Sequence, residues 1–220
     1  MTRDRRKPSI EVVLFDLDGT LLDSFEQYRR ALVATLADFG FEPPPLVRMR
    51  QSMGLPGLDV VLGQGVPPEQ AHDVWMRWIE WDGRLADLAG PFPGVVPLLE
   101  RLRVAGYRLG IVTSRPRSSL DVTPAALNFL PHVDLLVTRD DTAEGKPHPA
   151  PVLHALQRLG VPPARGVYVG DTAFDVEAGG RAGCLTVLTT WDSVDRDHSV
   201  ELEPDFVVAS PDDLAALLLD

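Results

Sequence analysis

The sequence predicts a doubly wound α/β fold: a parallel sheet in the order 3-2-1-4-5, helices on both faces, and a small helical domain inserted after the first strand. Three observations predict it. Short apolar runs recur along the chain, continuous rather than alternating, as strands covered on both faces require. Stretches of helical period fall between them, and strand–helix alternation implies parallel pairing. One long stretch, residues 25–89, carries helical patterns and no convincing strand.

In chain order, IEVVLF (10–15) reads as the first strand, preceded by MTRDRRKPS, expected to be a frayed tail. FEQYRRALVATLADFG (25–40) has helical period and stops at Gly40; PPP (43–45) is a rigid connector; residues 68–90 are helical again. PFPGV (91–95) punctuates the return to alternation. VVPLLERLRVAG (95–106) is a helix ending at a glycine, RLGIVT (108–113) the second strand, and DLLVT (134–138) the third. Residues 149–160 form a helix that starts near proline and stops at Gly160. VYVG (167–170), LTVLT (185–189) and FVV (206–208) are further strands, and PDDLAALLLD closes the chain as a helix. The expected division is a Rossmann-like core of residues 1–23 and 91–220 and a helical cap of residues 24–90.

Composition narrows the function. The 220 residues carry a net charge of −11, so nucleic acid and anionic membrane surfaces are poor partners. The single cysteine, Cys184, excludes an internal disulfide and any cysteine-rich metal site, and reads as a buried filler. No apolar run reaches the roughly 18 residues a membrane span needs, and the charged start lacks the apolar region of a secretory signal. The expected location is the cytoplasm. The oligomeric state is not in the sequence.

Open α/β sheets bind ligands at the carboxyl ends of their strands. Here those ends carry Asp16-Leu17-Asp18-Gly19-Thr20, Thr113-Ser114-Arg115 and Gly170-Asp171, with Asp175 four residues on and Lys146 in a GKP loop. In the expected strand order these ends are neighbours. Two carboxylates about 4 Å apart repel by roughly 4 kcal/mol at an effective dielectric near 20. A hard divalent cation resolves that repulsion, and oxygen ligands alone point to Mg²⁺. The five histidines sit at no ligand spacing. Asp16 suits an aspartyl-phosphate nucleophile. Asp18 suits the acid that protonates the leaving oxygen and then activates water, with its pKa raised by the crowded carboxylates. Gly19 permits a sharp turn and a close approach of the backbone to the ligand's phosphate; Thr20, Thr113 and Ser114 offer donors to phosphoryl oxygens; Lys146 binds the phosphate and stabilises the transferring group.

FDLDGTLLDS, the hydroxyl-bearing VTS, the GKPHP loop and GDTAFDVEAG resemble, in order and spacing, the four signature motifs of the haloacid dehalogenase-like (HAD) hydrolase superfamily. The resemblance spans residues 15–183. It implies Asp16 as nucleophile, Asp18 as acid/base, Thr113 as the second-motif hydroxyl and Lys146 as the third-motif lysine. It also implies Mg²⁺ held by Asp16, by Asp18 through its backbone carbonyl, and by Asp171, with Asp175 as a ligand or as a group behind one. A helical cap after the first motif resembles the phosphoglycolate phosphatase-like branch. Within the superfamily, dehalogenases lack the second aspartate, whereas Asp18 is present here. β-Phosphoglucomutases place a histidine twelve residues after the nucleophile, where this chain has Tyr28. Phosphonatases use a cap lysine, and residues 24–90 contain none. The expectation is therefore a Mg²⁺-dependent phosphomonoester hydrolase acting on a small phosphorylated metabolite such as phosphoglycolate, with phosphotransferase, phosphomutase, pyrophosphatase or nucleotidase as alternatives.

Five further readings concern selectivity. Asp175 also suits the opening of the helix after Gly170. Ser114 also suits a purely local role in its turn. Arg115, a loop arginine, reads as solvated more readily than as a substrate contact. Trp75, Trp78 and Trp81 read as a packing stripe, with one of them lining the substrate pocket as the alternative. Arg48, Arg50 and Arg84 are candidates for gripping an anionic substrate tail.

Overall fold

The computed structural model describes residues 10–192 and 203–219, with backbone only at 126–127. The expected tail at residues 1–9 lies outside the described residues. The central sheet has six parallel strands: β1 (Val12–Phe15), β4 (Arg108–Val112), β5 (Leu135–Val137), β6 (Gly166–Gly170), β7 (Leu185–Thr189) and β8 (Phe206–Val208), in the order β5-β4-β1-β6-β7-β8. Counting these strands along the chain, that is 3-2-1-4-5-6, the expected order with a sixth strand added beyond the fifth.

The continuous apolar runs are explained by what lies on each face. All four side chains of β1 are fully buried, and they alternate between two cores. Val13 and Phe15 pack with Leu98, Leu99 and Leu102 of α5 (Val95–Val104) and Leu214 of α10 (Pro211–Leu219). Val12 and Leu14 pack with Val152 and Leu156 of α8 (Ala150–Leu159) and Ala178 of α9 (Ala173–Ala182). A sheet covered on both sides opens to solvent only at its strand ends, which is where the polar residues of the motifs gather.

Residues 25–84 build α1 (Phe25–Asp38), α2 (Leu46–Ser52), α3 (Gly57–Gly63) and α4 (Pro68–Arg84). They share a third apolar cluster, including Leu32, Leu36, Met49, Val60 and Val74. The helix read over 68–90 stops at Arg84 and gives way to a 3-10 turn at Ala86–Leu88. Beside it, β2 (Leu22–Asp23) pairs antiparallel with β3 (Gly90–Pro91), tying the entry of the helical segment to its exit. Two-residue strands have no period to detect, which is why the sequence reading passed over this ribbon. Two short helices, α6 (Arg117–Asp121) and α7 (Pro124–Leu127), follow β4.

Candidate active site

The amide of Asp16 still donates to Val169 O of the sheet (2.8 Å), so the first carboxylate is fixed by the ladder itself. Leu21 and Leu22 then donate to Leu17 O, and Gly19 donates to Leu22 O (2.9 Å). That tight return needs Gly19 at φ 83°, a conformation that suits glycine. The turn leaves Asp16 3 % exposed at the end of β1.

Lys146 reaches this carboxylate from its loop. Its Nζ donates to Asp16 Oδ1 and Asp175 Oδ1, each at 2.7 Å, and the side chain is buried. Asp175 is doubly employed: its Oδ2 accepts from the Thr172 amide (3.0 Å) and hydroxyl, closing a capping box on α9, and the Tyr168 hydroxyl lies 3.2 Å from Oδ1. Thr20 Oγ1 donates to Asp171 Oδ1 (2.9 Å). One carboxylate oxygen from each of Asp16, Asp171 and Asp175 lies within 4.8 Å of the others. Three buried carboxylates offering only oxygen fit a hard divalent cation, and nothing in that donor set suits a softer metal.

Burial pushes the Asp16 carboxyl up to about 7; Lys146 pulls against that push and Asp175 adds to it. For Lys146, burial works against the charge, but Asp16 and Asp175 outweigh it and hold the ammonium well above its ordinary pKa. The lysine is thus a fixed positive charge between two acids.

Asp18 lies in a different environment from the one expected of it. It is absent from the three-carboxylate group. Arg115 forks onto it, Nε to Oδ2 at 2.8 Å and Nη2 to Oδ1 at 2.7 Å, and the Ser24 hydroxyl also donates to Oδ1. Burial alone would raise its pKa, but the Arg115 charge and hydrogen bonds outweigh burial and hold it below the usual carboxylate value. The expectation of a carboxyl raised by crowding is corrected by this pair. The solvated Arg115 is corrected as well: its side chain is 13 % exposed and Nη1 reaches Thr123 Oγ1 at 3.2 Å. A run of Thr-Ser-Arg at a strand end gave no sign that the guanidinium turns inward.

A cavity opens above Asp16 and Asp18, with Thr113, Ser114 and Arg115 also in its wall. Thr113 is buried, and its hydroxyl accepts from the Arg115 amide (3.1 Å). Gly19 and Thr20 are not in that wall. The Gly19 amide donates to Leu22 O within the loop and the Thr20 hydroxyl to Asp171, so both shape the centre. The opposite wall comes from the helical segment: Tyr28 of α1, Met53 and Leu55 after α2, and Trp75, Trp78, Ile79 and Asp82 of α4. Of the tryptophan stripe, Trp75 and Trp78 line the cavity. Trp81 turns away to donate to Asp38 Oδ2 (2.9 Å). The arginines of the helical segment are elsewhere: Arg50 stacks over Phe25 (5.1 Å), Arg84 over Trp81 (4.8 Å), and Arg48 is exposed outside the lining. Asp82 and Ser24 were missed by sequence reasoning; Asp82 was discoverable as the i+7 member of the face holding Trp75 and Trp78.

With this geometry in view, likeness to known proteins is informative. The family model described as haloacid dehalogenase-like hydrolase matches residues 13–189. A phosphoglycolate phosphatase of Aquifex aeolicus is 34% identical over 212 residues, covering 95% of this chain and 97% of the relative. A pyrophosphatase PpaX of Bacillus velezensis is 31% identical, covering 93% and 94%. A solved hydrolase from Pseudomonas syringae superposes with a TM-score of 0.82 at 27% identity, covering 94% of this chain and 97% of that one.

Proposed function

We propose that this chain, which belongs to the haloacid dehalogenase-like hydrolases, is a Mg²⁺-dependent phosphomonoester hydrolase of the cytoplasm working through an aspartyl-phosphate. Its core would be residues 1–23 and 91–220, with residues 24–90 as a cap over the cavity. The substrate is a small phosphorylated metabolite, and phosphoglycolate is the candidate that the relatives' names supply.

The observation that carries the reading is Lys146 bridging Asp16 and Asp175 at 2.7 Å each, beside Asp171, directly under a cavity that Asp16 and Asp18 share. Asp16, Asp171 and Asp175 would hold the ion, together with the Asp18 carbonyl. When bound, the ion offsets carboxylate repulsion and stabilises charge on the phosphoryl oxygens. An oxygen of Asp16 attacks phosphorus, and the bond to the leaving oxygen breaks as Asp18 protonates it. Asp18 then takes a proton from water, which attacks the same phosphorus and releases inorganic phosphate, restoring Asp16. The ionised Asp18 held by Arg115 is the form that activates water; protonating the leaving group requires Arg115 to let go of it. Thr113 and Ser114 face the cavity where donors to phosphoryl oxygens are needed, and Lys146 keeps its charge at the nucleophile.

Tyr28 supports hydrolysis over mutase chemistry. Burial raises the pKa of its hydroxyl, which pairs with Ser52 Oγ at 2.7 Å, so it stays neutral and cannot shuttle protons as a histidine would. The test is phosphate release from a panel of phosphomonoesters and pyrophosphate, with Mg²⁺ and with EDTA, alongside labelling of Asp16 by radioactive phosphate. Metal-dependent release with a labelled Asp16 is expected. Absence of release at every metal concentration overturns the reading.

A further inference from the structure

The guanidinium of Arg115 works in two directions. On one side Nε and Nη2 fork onto Asp18, reaching Oδ2 at 2.8 Å and Oδ1 at 2.7 Å. On the other, Nη1 donates to Thr123 Oγ1 (3.2 Å) and Ser119 Oγ (3.4 Å). A planar guanidinium bound along both edges has little freedom to turn, so its fork has a fixed direction. Thr123 is fully buried and held in its own right. Its hydroxyl donates to Ser119 O (3.1 Å) and accepts from Gln27 Nε2 of α1 (3.4 Å), the nitrogen that also donates to Asp82 O of α4 (2.8 Å). The two oxygens of Asp18 are not equally occupied. Oδ1 accepts twice, from Arg115 Nη2 and from the Ser24 hydroxyl, whereas Oδ2 accepts once, from Arg115 Nε. A carboxylate offers about four acceptor sites, two on each oxygen, so among the described residues Oδ2 is the oxygen with a site left over.

Resting on the phosphatase reading above, we propose that Arg115 is a positioning residue: it aims the Asp18 carboxylate in the cavity wall and leaves Oδ2 as the oxygen that exchanges the proton. Thr123 seats Arg115, and through Gln27 that seat is tied to α1 and α4. In the step that consumes the aspartyl-phosphate, an O–H bond of water breaks, its proton goes to Oδ2, its oxygen bonds phosphorus, and the bond from phosphorus to Asp16 breaks. Handing the proton to a leaving oxygen is the step in which the fork loosens. Proton transfer needs donor and acceptor within hydrogen-bond reach, so a carboxylate free to swing spends less time in place. The fork supplies direction as well as charge. A lysine at this position would keep the charge but could not hold both oxygens in one plane.

The test compares phenyl phosphate with p-nitrophenyl phosphate, in the full chain with Mg²⁺, for wild type, Arg115→Met, Arg115→Lys and Thr123→Val. The two esters share a ring and a phosphate, but phenolate needs a proton to leave and p-nitrophenolate does not. A misplaced acid therefore costs the first ester more than the second. Arg115→Met is expected to lower kcat/KM for phenyl phosphate by about 100-fold and for p-nitrophenyl phosphate by less than about 10-fold. Arg115→Lys should stay within about 3-fold of Arg115→Met on phenyl phosphate. With p-nitrophenyl phosphate both variants should release p-nitrophenol in a burst, because hydrolysis of the aspartyl-phosphate still needs Asp18 as base. Thr123→Val keeps the size of its side chain and reports on the seat of Arg115 where Arg115→Met fails to fold. It should lower kcat/KM for phenyl phosphate by about 5-fold and leave p-nitrophenyl phosphate within about 2-fold. Equal losses on the two esters, full recovery in Arg115→Lys, or no loss in any variant overturns the inference alone. Failure of the wild type to release phosphate from either ester removes the phosphatase reading and the inference together.

Discussion

The strand-end centre and the helical wall face each other across one cavity and are built on opposite terms. At the strand ends each acid already has a role. Asp16 pairs with Lys146, Asp18 with Arg115, Asp171 with Thr20, and Asp175 with both Lys146 and its own helix cap. On the wall, an indole N–H and a carboxylate are left over. The difference teaches how the two share the work. Stabilising charge on a reacting group demands charges fixed in advance, whereas a wall built mainly of aromatic and aliphatic side chains supplies shape.

The largest effect expected at the strand ends is loss of the nucleophile. Asp16→Asn keeps the shape and removes the attacking oxygen's charge, so phosphate release should fall by at least about 10⁴-fold in a steady-state assay. Activity surviving in Asp16→Asn would break the contrast, because the centre would no longer be where the reaction happens.

Lys146→Met tests whether the fixed charges also hold the fold. It leaves Asp16 and Asp175 buried without the cation between them, and removing one partner of such a pair costs about 3 kcal/mol or more. Urea unfolding should report that loss, while Trp78→Phe on the other wall should cost far less. Equal costs would mean that the two regions are not distinguished by their pairing.

How much of this was legible follows the same division. DLDGT, GKP and GD…D are short because the strand ends and one tight turn fix their side chains, so residue type and spacing sufficed to assemble Asp16, Lys146, Asp171 and Asp175. The six strands were legible for a related reason: burial on both faces forces continuous apolar runs. Asp18 was placed in the wrong electrostatic company because its partner, Arg115, comes from a loop whose inward turn has no sequence signature. Asp82 went unseen because a single acid on an amphipathic helix reads as solvated until the neighbouring element shows which face is covered. Gly19 and Thr20 were read as facing the ligand, and their motif carries no sign of the bonds their donors also make, to Leu22 O and to Asp171.

Asp82 gives the wall a pH signature of its own. Burial holds its folded carboxyl at about 6, above its ordinary value of 3.8. Between those values the folded chain binds more protons than the unfolded one, so its contribution to stability falls as pH rises from about 4 to 6 and stays low above that. Allowing for its partial exposure, the deficit is about 1–2 kcal/mol. Asp82→Asn should therefore stabilise the chain relative to wild type at pH 7.5 and by much less at pH 4, measured by urea unfolding at both. A difference independent of pH would show that Asp82 is paired or solvated in the folded chain.

The smallest effect concerns polar groups buried away from the cavity. Thr35 of α1 and Thr189 of β7 are both buried, and their hydroxyls have no hydrogen-bond partner, yet neither lines the cavity. No occupant can complete them, so each unpaired hydroxyl is a plain cost of burial. Replacing it by a methyl group of similar size removes that cost, and Thr35→Val and Thr189→Val should each stabilise the chain by about 1 kcal/mol without altering kcat/KM on any substrate. For a chain of this size that is a rise of roughly 2–4 °C in Tm. Stabilisation of both threonine variants with unchanged kcat/KM would tie these hydroxyls to burial alone, whereas an unchanged or lowered Tm would show that each hydroxyl is paired in the folded chain.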